Sequence, residues 1–311
     1  MIFDAHSDVP TFIYYERENG QTAVLERNYS RFFGGIVTAR VASVWTPVEK
    51  RNLALRYGIE AFSRLLRDVD ESERFELVTS TEEMRNVIGE GKVALWAGME
   101  GGEPLESSLD VLEVFHRLGL RVLTLTWSLR NSLGDGVFER TNGGLTNFGV
   151  EVIGKAEELG ILLDLSHINE AGFWDALDVT SFPVIASHSN ARALCDHPRN
   201  LTDEQIKAIA ERDGVIGAVA IPSFVDKEEP TLERYMDHIT HMVDTAGYRH
   251  VGLGFDFVYY LKGWSGKSVK GLEDESKIPS LVEKLHENFS KGEVSAITFK
   301  NFERVFERVV G

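Results

Sequence analysis

A single cysteine, Cys195, is all the chain carries in 311 residues. An internal disulfide is therefore excluded, and with nothing in its setting to lower its pKa the thiol reads as packed rather than nucleophilic. No apolar run is long enough to cross a bilayer. Basic residues are scarce beside acidic ones: 33 Lys and Arg face 49 Asp and Glu, for a formal charge of −16. No Lys/Arg cluster offsets this, so a phosphate backbone would be repelled and nucleic acid is not expected as a partner. A complete glycine-rich phosphate loop is also missing. The nearest echo, Gly252-Leu253-Gly254-Phe255-Asp256, lacks a third glycine, which weakens the case for an open nucleotide-binding sheet. Met1-Ile2-Phe3 leads straight into the first motif and leaves no room for a signal peptide, so cytoplasmic residence without a membrane contact is the expectation.

What is present is ordinary globular composition, with 43% hydrophobic and 26% charged residues. Short apolar runs predict strands at 1–5, 36–44, 92–97, 121–126, 161–166, 183–187, 214–220 and 250–255. Helical periodicity falls between them at 50–67, 107–118, 146–159, 202–212, 231–246 and 296–309. About eight strands alternating with helices predict a TIM-type (β/α)8 barrel, one α/β domain over residues 1–311. Thr202-Asp203-Glu204-Gln205 reads as a capping box, and Gly119 and Gly160 stand where helices should end. Segments 9–34 and 256–277 look like loops over the barrel mouth. Their Tyr14, Tyr15, Tyr259, Tyr260 and Trp264 suggest an aromatic-lined pocket, although interface or lid packing would use the same residues.

His6 and Asp8 lie two apart at the end of the first apolar run, a spacing that puts both side chains on one face of a strand. Glu100, His167 and His188 each follow or end another such run. Alone, any of these has a plain explanation: a surface pair for His6 and Asp8, a helix cap for Glu100, satisfied core histidines for the other two. Together they offer three imidazoles and two carboxylates, too many for one catalytic ion. A carboxylate can bridge two ions, so the economical arrangement is a two-metal centre about 3.5–4 Å across with a shared hydroxide as nucleophile, suited to hydrolysing an amide, ester or phosphoester. The other six histidines, among them His197, His238 and His241, are expected at the surface.

Five motifs in order, Asp4-Ala5-His6-Ser7-Asp8, Met99-Glu100-Gly101-Gly102, Gly144-Leu145-Thr146-Asn147-Phe148-Gly149, Asp164-Leu165-Ser166-His167 and Ser187-His188-Ser189-Asn190, carry a resemblance. The chain resembles the renal (membrane) dipeptidase family, zinc peptidases on an amidohydrolase-type barrel, almost from end to end. The resemblance implies two Zn²⁺ ions per subunit, one on His6 and Asp8, the other on His167 and His188, with Glu100 bridging. It further implies that Arg199 binds the C-terminal carboxylate of a dipeptide and that Asp256 serves the scissile amide and free amine. A guanidinium grips a carboxylate bidentately and a carboxylate attracts an ammonium, so a site reading both termini selects dipeptides. On this reading the partners are small-molecule dipeptides; a homodimer is left open.

The chain departs from the family at Thr124-Leu125-Thr126-Trp127, where relatives usually carry a histidine thought to stabilise the tetrahedral intermediate. An indole donates one hydrogen bond but cannot become cationic. Either Arg130 or Asn131 substitutes, or the substrate is a different amide, a lactam or an ester, or the protein binds metal with weak activity; Trp127 as plain packing is a further reading. Phe299-Lys300-Asn301 also departs, standing where relatives tend to have a glycine pair before the asparagine.

Overall fold

Apolar segments of three to nine residues, with one of two, form the parallel strands of the barrel: β1 (Ile2–Ser7), β2 (Val37–Trp45), β3 (Phe75–Val78), β4 (Val93–Glu100), β5 (Leu120–Thr124), β6 (Leu162–Asp164), β7 (Ile185–Ala186), β8 (Val215–Ala218) and β9 (Val251–Leu253). The computed structural model describes residues 1–33, 35–261 and 268–311. β1 pairs with both β2 and β9, and β2 pairs with β4, so the sheet closes into an eight-stranded barrel.

β3 is the strand outside the predicted eight. One edge of β4 pairs with β2 along its length, from Ala39↔Ala94 to Trp45↔Glu100. The other edge is shared, with β3 on Val93–Trp96 and β5 on Ala97–Glu100. β3 thus extends the lower rim without entering the closure. Its four residues, Phe-Glu-Leu-Val, were too short and too interrupted by Glu76 to read as a strand.

Helices at Ala54–Asp70, Leu109–Arg117, Asn147–Leu159, Asp203–Glu211, Leu232–Ala246 and Asn301–Val309 answer the predicted periodicities. The capping box forms as read, with Thr202 accepting from Gln205 N and the Gln205 side chain accepting from Thr202 N. Gly160 ends its helix in the left-handed region at φ +67°. Five further helices lie outside the predicted ranges: Thr81–Gly89, Glu170–Val179, Pro222–Val225, Ile278–Asn288 and Lys291–Ser295. Segment 9–34, expected as a loop, instead holds the helices Val9–Glu18, Val24–Arg27 and Tyr29–Phe33.

Alternation along the strands divides the core in two. Phe3, Ala39, Val41, Ala94, Trp96, Val122 and Leu162 pack inside the barrel, while Ile2, Val44 and Leu95 pack between barrel and helices. The floor is closed by the last helix, whose Phe302 and Phe306 rings lie 5.5 and 5.1 Å from Phe3, with Phe299 at 5.8 Å. Asn301 fixes that helix by donating from Nδ2 to the carbonyls of Tyr248 and Val251. An apolar floor leaves polar side chains inside the barrel to its carboxyl end. No described helix is long and apolar enough to cross a membrane.

Candidate metal centre

His6 reaches the centre by a route that simple alternation does not give. Phe3 and Ala5 face inward, so a regular strand would turn His6 outward with Asp4. A register shift between Asp4 and Ser7 breaks the alternation. His6 Nε2 then lies 3.7 Å from Glu100 Oε1 and 4.0 Å from Asp256 Oδ1. Asp8 is beyond the strand, at the N-cap of helix Val9–Glu18. Shared placement of His6 and Asp8 therefore comes from a bulge and a helix start, not from one strand face.

Glu100 is the inward last residue of β4, two positions above Gly98 and four above Trp96. His167 and His188 lie just past the ends of β6 and β7. Glu100 Oε1 is 2.8 Å from His167 Nε2 and 3.4 Å from His188 Nε2, and the two Nε2 atoms are 2.8 Å apart. Donors about 2.0–2.2 Å from one tetrahedral ion stand roughly 3.3–3.5 Å from each other, so the cluster is near the size an ion requires. Two three-donor groups share Glu100: His6, Asp8 and Glu100, and Glu100, His167 and His188. His6 Nε2 and Asp8 Oδ1 are buried with no hydrogen-bond partner. Orphaned donors of this kind fit a cation.

Burial sets the electrostatics. Desolvation pushes the Asp8 carboxyl up to about 7 and lifts Glu100 and Asp256 well above the usual carboxylate range, with neighbouring acids adding to both. Desolvation also drives His6 down to about 4 and His167 and His188 well below the usual imidazole range. Neutral imidazoles and carboxylates that resist bare ionisation form a donor set that a divalent cation would neutralise.

A shell of hydroxyls orients the imidazoles. With Nε2 turned to the centre, His188 Nδ1–H donates to Ser187 Oγ at 2.7 Å, and Ser187 Oγ–H donates to Asp164 Oδ2 at 2.6 Å. His167 Nδ1–H donates to Ser128 Oγ at 2.8 Å. Asp164 also accepts from Thr124 Oγ1 and from the backbone N–H groups of Ser166 and Ser187. These four donors occupy both of its oxygens, so Asp164 supports the ligands from behind. Asp4 plays a similar part on the other side, accepting from Phe255 N and His6 N and pairing with the buried Arg40 at 2.9 Å. Asp4, Asp164 and Ser187 stand in the sequence motifs with no role assigned to them, and Ser128 lies outside those motifs; the available signal was the acid inside each of the apolar runs 1–5 and 161–166.

His167 and Asp256 sit at φ +71° and +53°, backbone that non-glycine residues seldom adopt. In both cases the turn follows a strand end and directs the side chain into the cavity. That cavity is lined by Asp8, Glu100, Trp127, Ser128, His167, Arg199 and Asp256 together with apolar side chains. The eight residues expected to form a site are thus brought together. Arg199 is buried, donates from Nη2 to His188 O at 3.0 Å, and lies over the Phe224 ring.

Other expectations are corrected. Arg130 is engaged with Asp135, and Asn131 donates to Leu125 O; neither lines the cavity, so neither replaces the family histidine. Trp127 packs its ring 5.4 Å from Trp45 and 6.0 Å from His167. Tyr14 is buried and bonds Glu60, Tyr259 bonds Glu275, and Tyr15 and Tyr260 line an outer groove that adjoins the cavity at Trp45 and Leu261. Trp264 lies outside the described residues. His238 is core, not surface: its Nδ1 accepts from Ala191 N and its Nε2–H donates to Val225 O. Cys195 is a packed thiol, as expected.

Comparison with known proteins agrees with this geometry. An uncharacterized dipeptidase of Schizosaccharomyces pombe is 36% identical over 70% of this chain and 53% of its own length. The chain spans about half the length of that relative and of a second curated relative, dipeptidase tcpJ of Claviceps purpurea. A metallopeptidase of Rhodobacter sphaeroides, solved with a phosphinate mimic of the dipeptide L-Ala-D-Ala, matches with a TM-score of 0.90 and 26% identity over 99% of both chains. A dipeptidase of peptidase family M19 matches with a TM-score of 0.90 and 28% identity, over 100% of this chain and 98% of its own. The family model for membrane dipeptidases matches residues 1–310. With the motifs, the barrel and the donor cluster in agreement, the chain belongs to the membrane dipeptidase family, peptidase family M19.

Proposed function

We propose that this protein is a zinc-dependent dipeptidase holding two ions per subunit, His6 and Asp8 on one, His167 and His188 on the other, and Glu100 between them. The observation that carries this is Glu100 Oε1 within 2.8–3.7 Å of three imidazole Nε2 atoms, beside the unpartnered Asp8 Oδ1. Divalent ions there would supply Lewis acidity toward a carbonyl oxygen and a water of lowered pKa.

The chain's own residues do the rest. Ser128 and Ser187 fix the imidazole tautomers, so that Nε2 of His167 and of His188 stays free of a proton. Arg199, buried on the cavity wall, binds the substrate's C-terminal carboxylate. Asp256, on the same wall and 4.0 Å from His6 Nε2, meets the free amine and passes a proton to the departing one. The apolar lining keeps bulk water from the bond under attack. Charged groups at two points of the cavity favour a substrate with both termini one peptide bond apart.

The test is amine release from free L,L- and L,D-dipeptides beside tripeptides, N-acetyl dipeptides and dipeptide amides. Turnover confined to free dipeptides is expected. Hydrolysis of the blocked compounds at equal rates would favour a broader amide or ester hydrolase, the outcome that Trp127 in place of the family histidine would accompany.

A further inference from the structure

The wall of the cavity beside Arg199 carries aromatic rings that neither the metal centre nor terminus recognition uses. Phe224 lies under the Arg199 guanidinium, with Cζ 5.4 Å from the ring centroid. The His197 imidazole packs on Phe224 at 4.4 Å and 33°, and Phe138 meets His197 edge-on at 6.1 Å. Phe138 is 51% exposed although it lines the cavity, so most of its ring surface beyond the His197 contact is open to a ligand.

We propose that Phe138 and Phe224, with Ile221 on the same cavity lining, form a side-chain subsite that selects dipeptides whose C-terminal residue is large and apolar. The inference rests on the dipeptidase reading and on Arg199 as the carboxylate anchor. A carboxylate held by Arg199 leaves the Cα of the same residue one bond away, so its side chain lies within reach of the ring beneath that guanidinium.

Charge on the wall supports the assignment. The ionisable groups lining the cavity are Asp8, Glu100, His167, Arg199 and Asp256, each already placed at the centre or at a substrate terminus. Among the groups that line the cavity none is left to pair with a charged side chain, which disfavours one there; Arg192, Asp196 and Lys227 act on His197 from outside the lining. The platform is also rigid: Arg199 N donates to His197 Nδ1 at 3.2 Å, which ties the imidazole to the loop that carries the anchor. Burial, with Arg199, Lys227 and Arg192 nearby, holds that imidazole down to about 4, so it stacks as a neutral ring near neutral pH. His197, expected at the surface from sequence, is a positioning residue for Phe224.

The test compares kcat/KM for Ala-Phe, Ala-Ala and Ala-Asp, in L,L and L,D forms, in the metal-loaded protein and in Phe138→Ala and Phe224→Ala. A hydrophobic subsite discriminates by about 10- to 200-fold per group recognised. Ala-Phe is therefore expected to exceed Ala-Ala by at least about tenfold, Ala-Asp to be the poorest, and the Ala-Phe to Ala-Ala ratio to collapse toward one in both variants. Phe138 is exposed, so Phe138→Ala keeps the test clear of folding defects. A ratio near one in the unmodified protein, or one unchanged in both variants, would overturn the subsite. If no dipeptide is hydrolysed, the hydrolytic reading fails, and calorimetric binding of the same peptides decides the subsite separately. At least tenfold tighter Ala-Phe, lost in Phe138→Ala, would support it; equal or absent binding would refute it.

Discussion

The Asp164 carboxylate takes a 2.6 Å hydrogen bond from Ser187 Oγ, and through that one hydroxyl it reaches Nδ1 of His188, 2.7 Å further on. Removing support of this kind from a metal-ligating imidazole costs 10–100-fold in metal affinity. Asp164→Asn replaces an acceptor by an amide that cannot receive all four of the present donors. We expect zinc affinity, measured by competition with a chromophoric chelator, to fall by about 10–100-fold. Unchanged affinity in a folded variant would make Asp164 a structural residue only.

Arg199→Ala should raise KM for free dipeptides by about two orders of magnitude, as expected for loss of a buried partner to a carboxylate. Dipeptide amides, which lack that carboxylate, should be little affected relative to their own starting rate. An equal loss on both substrate types would contradict the anchoring role.

Two glycines should respond in opposite directions to alanine. A Cβ on Gly254 would stand 1.7 Å from Ser187 O, whereas one on Gly154, in an exposed helical position, meets nothing within 4 Å. Gly254→Ala should destabilise by at least about 1–3 kcal/mol and weaken zinc binding, because Ser187 is adjacent to His188. Gly154→Ala should stabilise by about 0.5–1 kcal/mol through the backbone entropy of the unfolded chain. Urea unfolding of both variants checks the pair.

The ligand positions were legible because each sits at the end of an apolar run, and a barrel sends strand ends to one rim. The path to the rim was not. His6 arrives through a bulge and Asp8 through a helix start, and nothing in Asp-Ala-His-Ser-Asp distinguishes these from a regular strand. β3 escaped because its four residues are few and interrupted by Glu76, and its place on half of β4's edge follows from pairing that those residues do not announce. The supporting residues Asp164, Ser128 and Ser187 are common types whose importance comes from partners distant in sequence. The same holds for His197, whose stacking on Phe224 depends on two separate loops meeting beside Arg199.

Acid stability should depend on Glu71. Its bidentate hydrogen bonds from Arg17, helped by the Ala23 N–H, hold the carboxyl down to about 2 from 4.5. A carboxyl depressed in the folded state contributes stability that is present above its unfolded pKa and is lost as pH falls toward the folded value. That contribution should therefore fade below about pH 4.5, because the unfolded chain takes up the proton first. Glu71→Gln should be less stable than the parent at pH 6 and should lose less on acidification. Urea midpoints between pH 5 and 3 measure it, and parallel curves for the two proteins would exclude the Arg17–Glu71 pair as a source of acid sensitivity.

The most direct measurement is a zinc titration of chelator-treated protein, following amine release from a free dipeptide. The account predicts no turnover before zinc is added and a plateau at two equivalents per chain. Turnover in the chelated protein, or a plateau at one equivalent, would contradict a two-ion centre built on His6, Asp8, Glu100, His167 and His188.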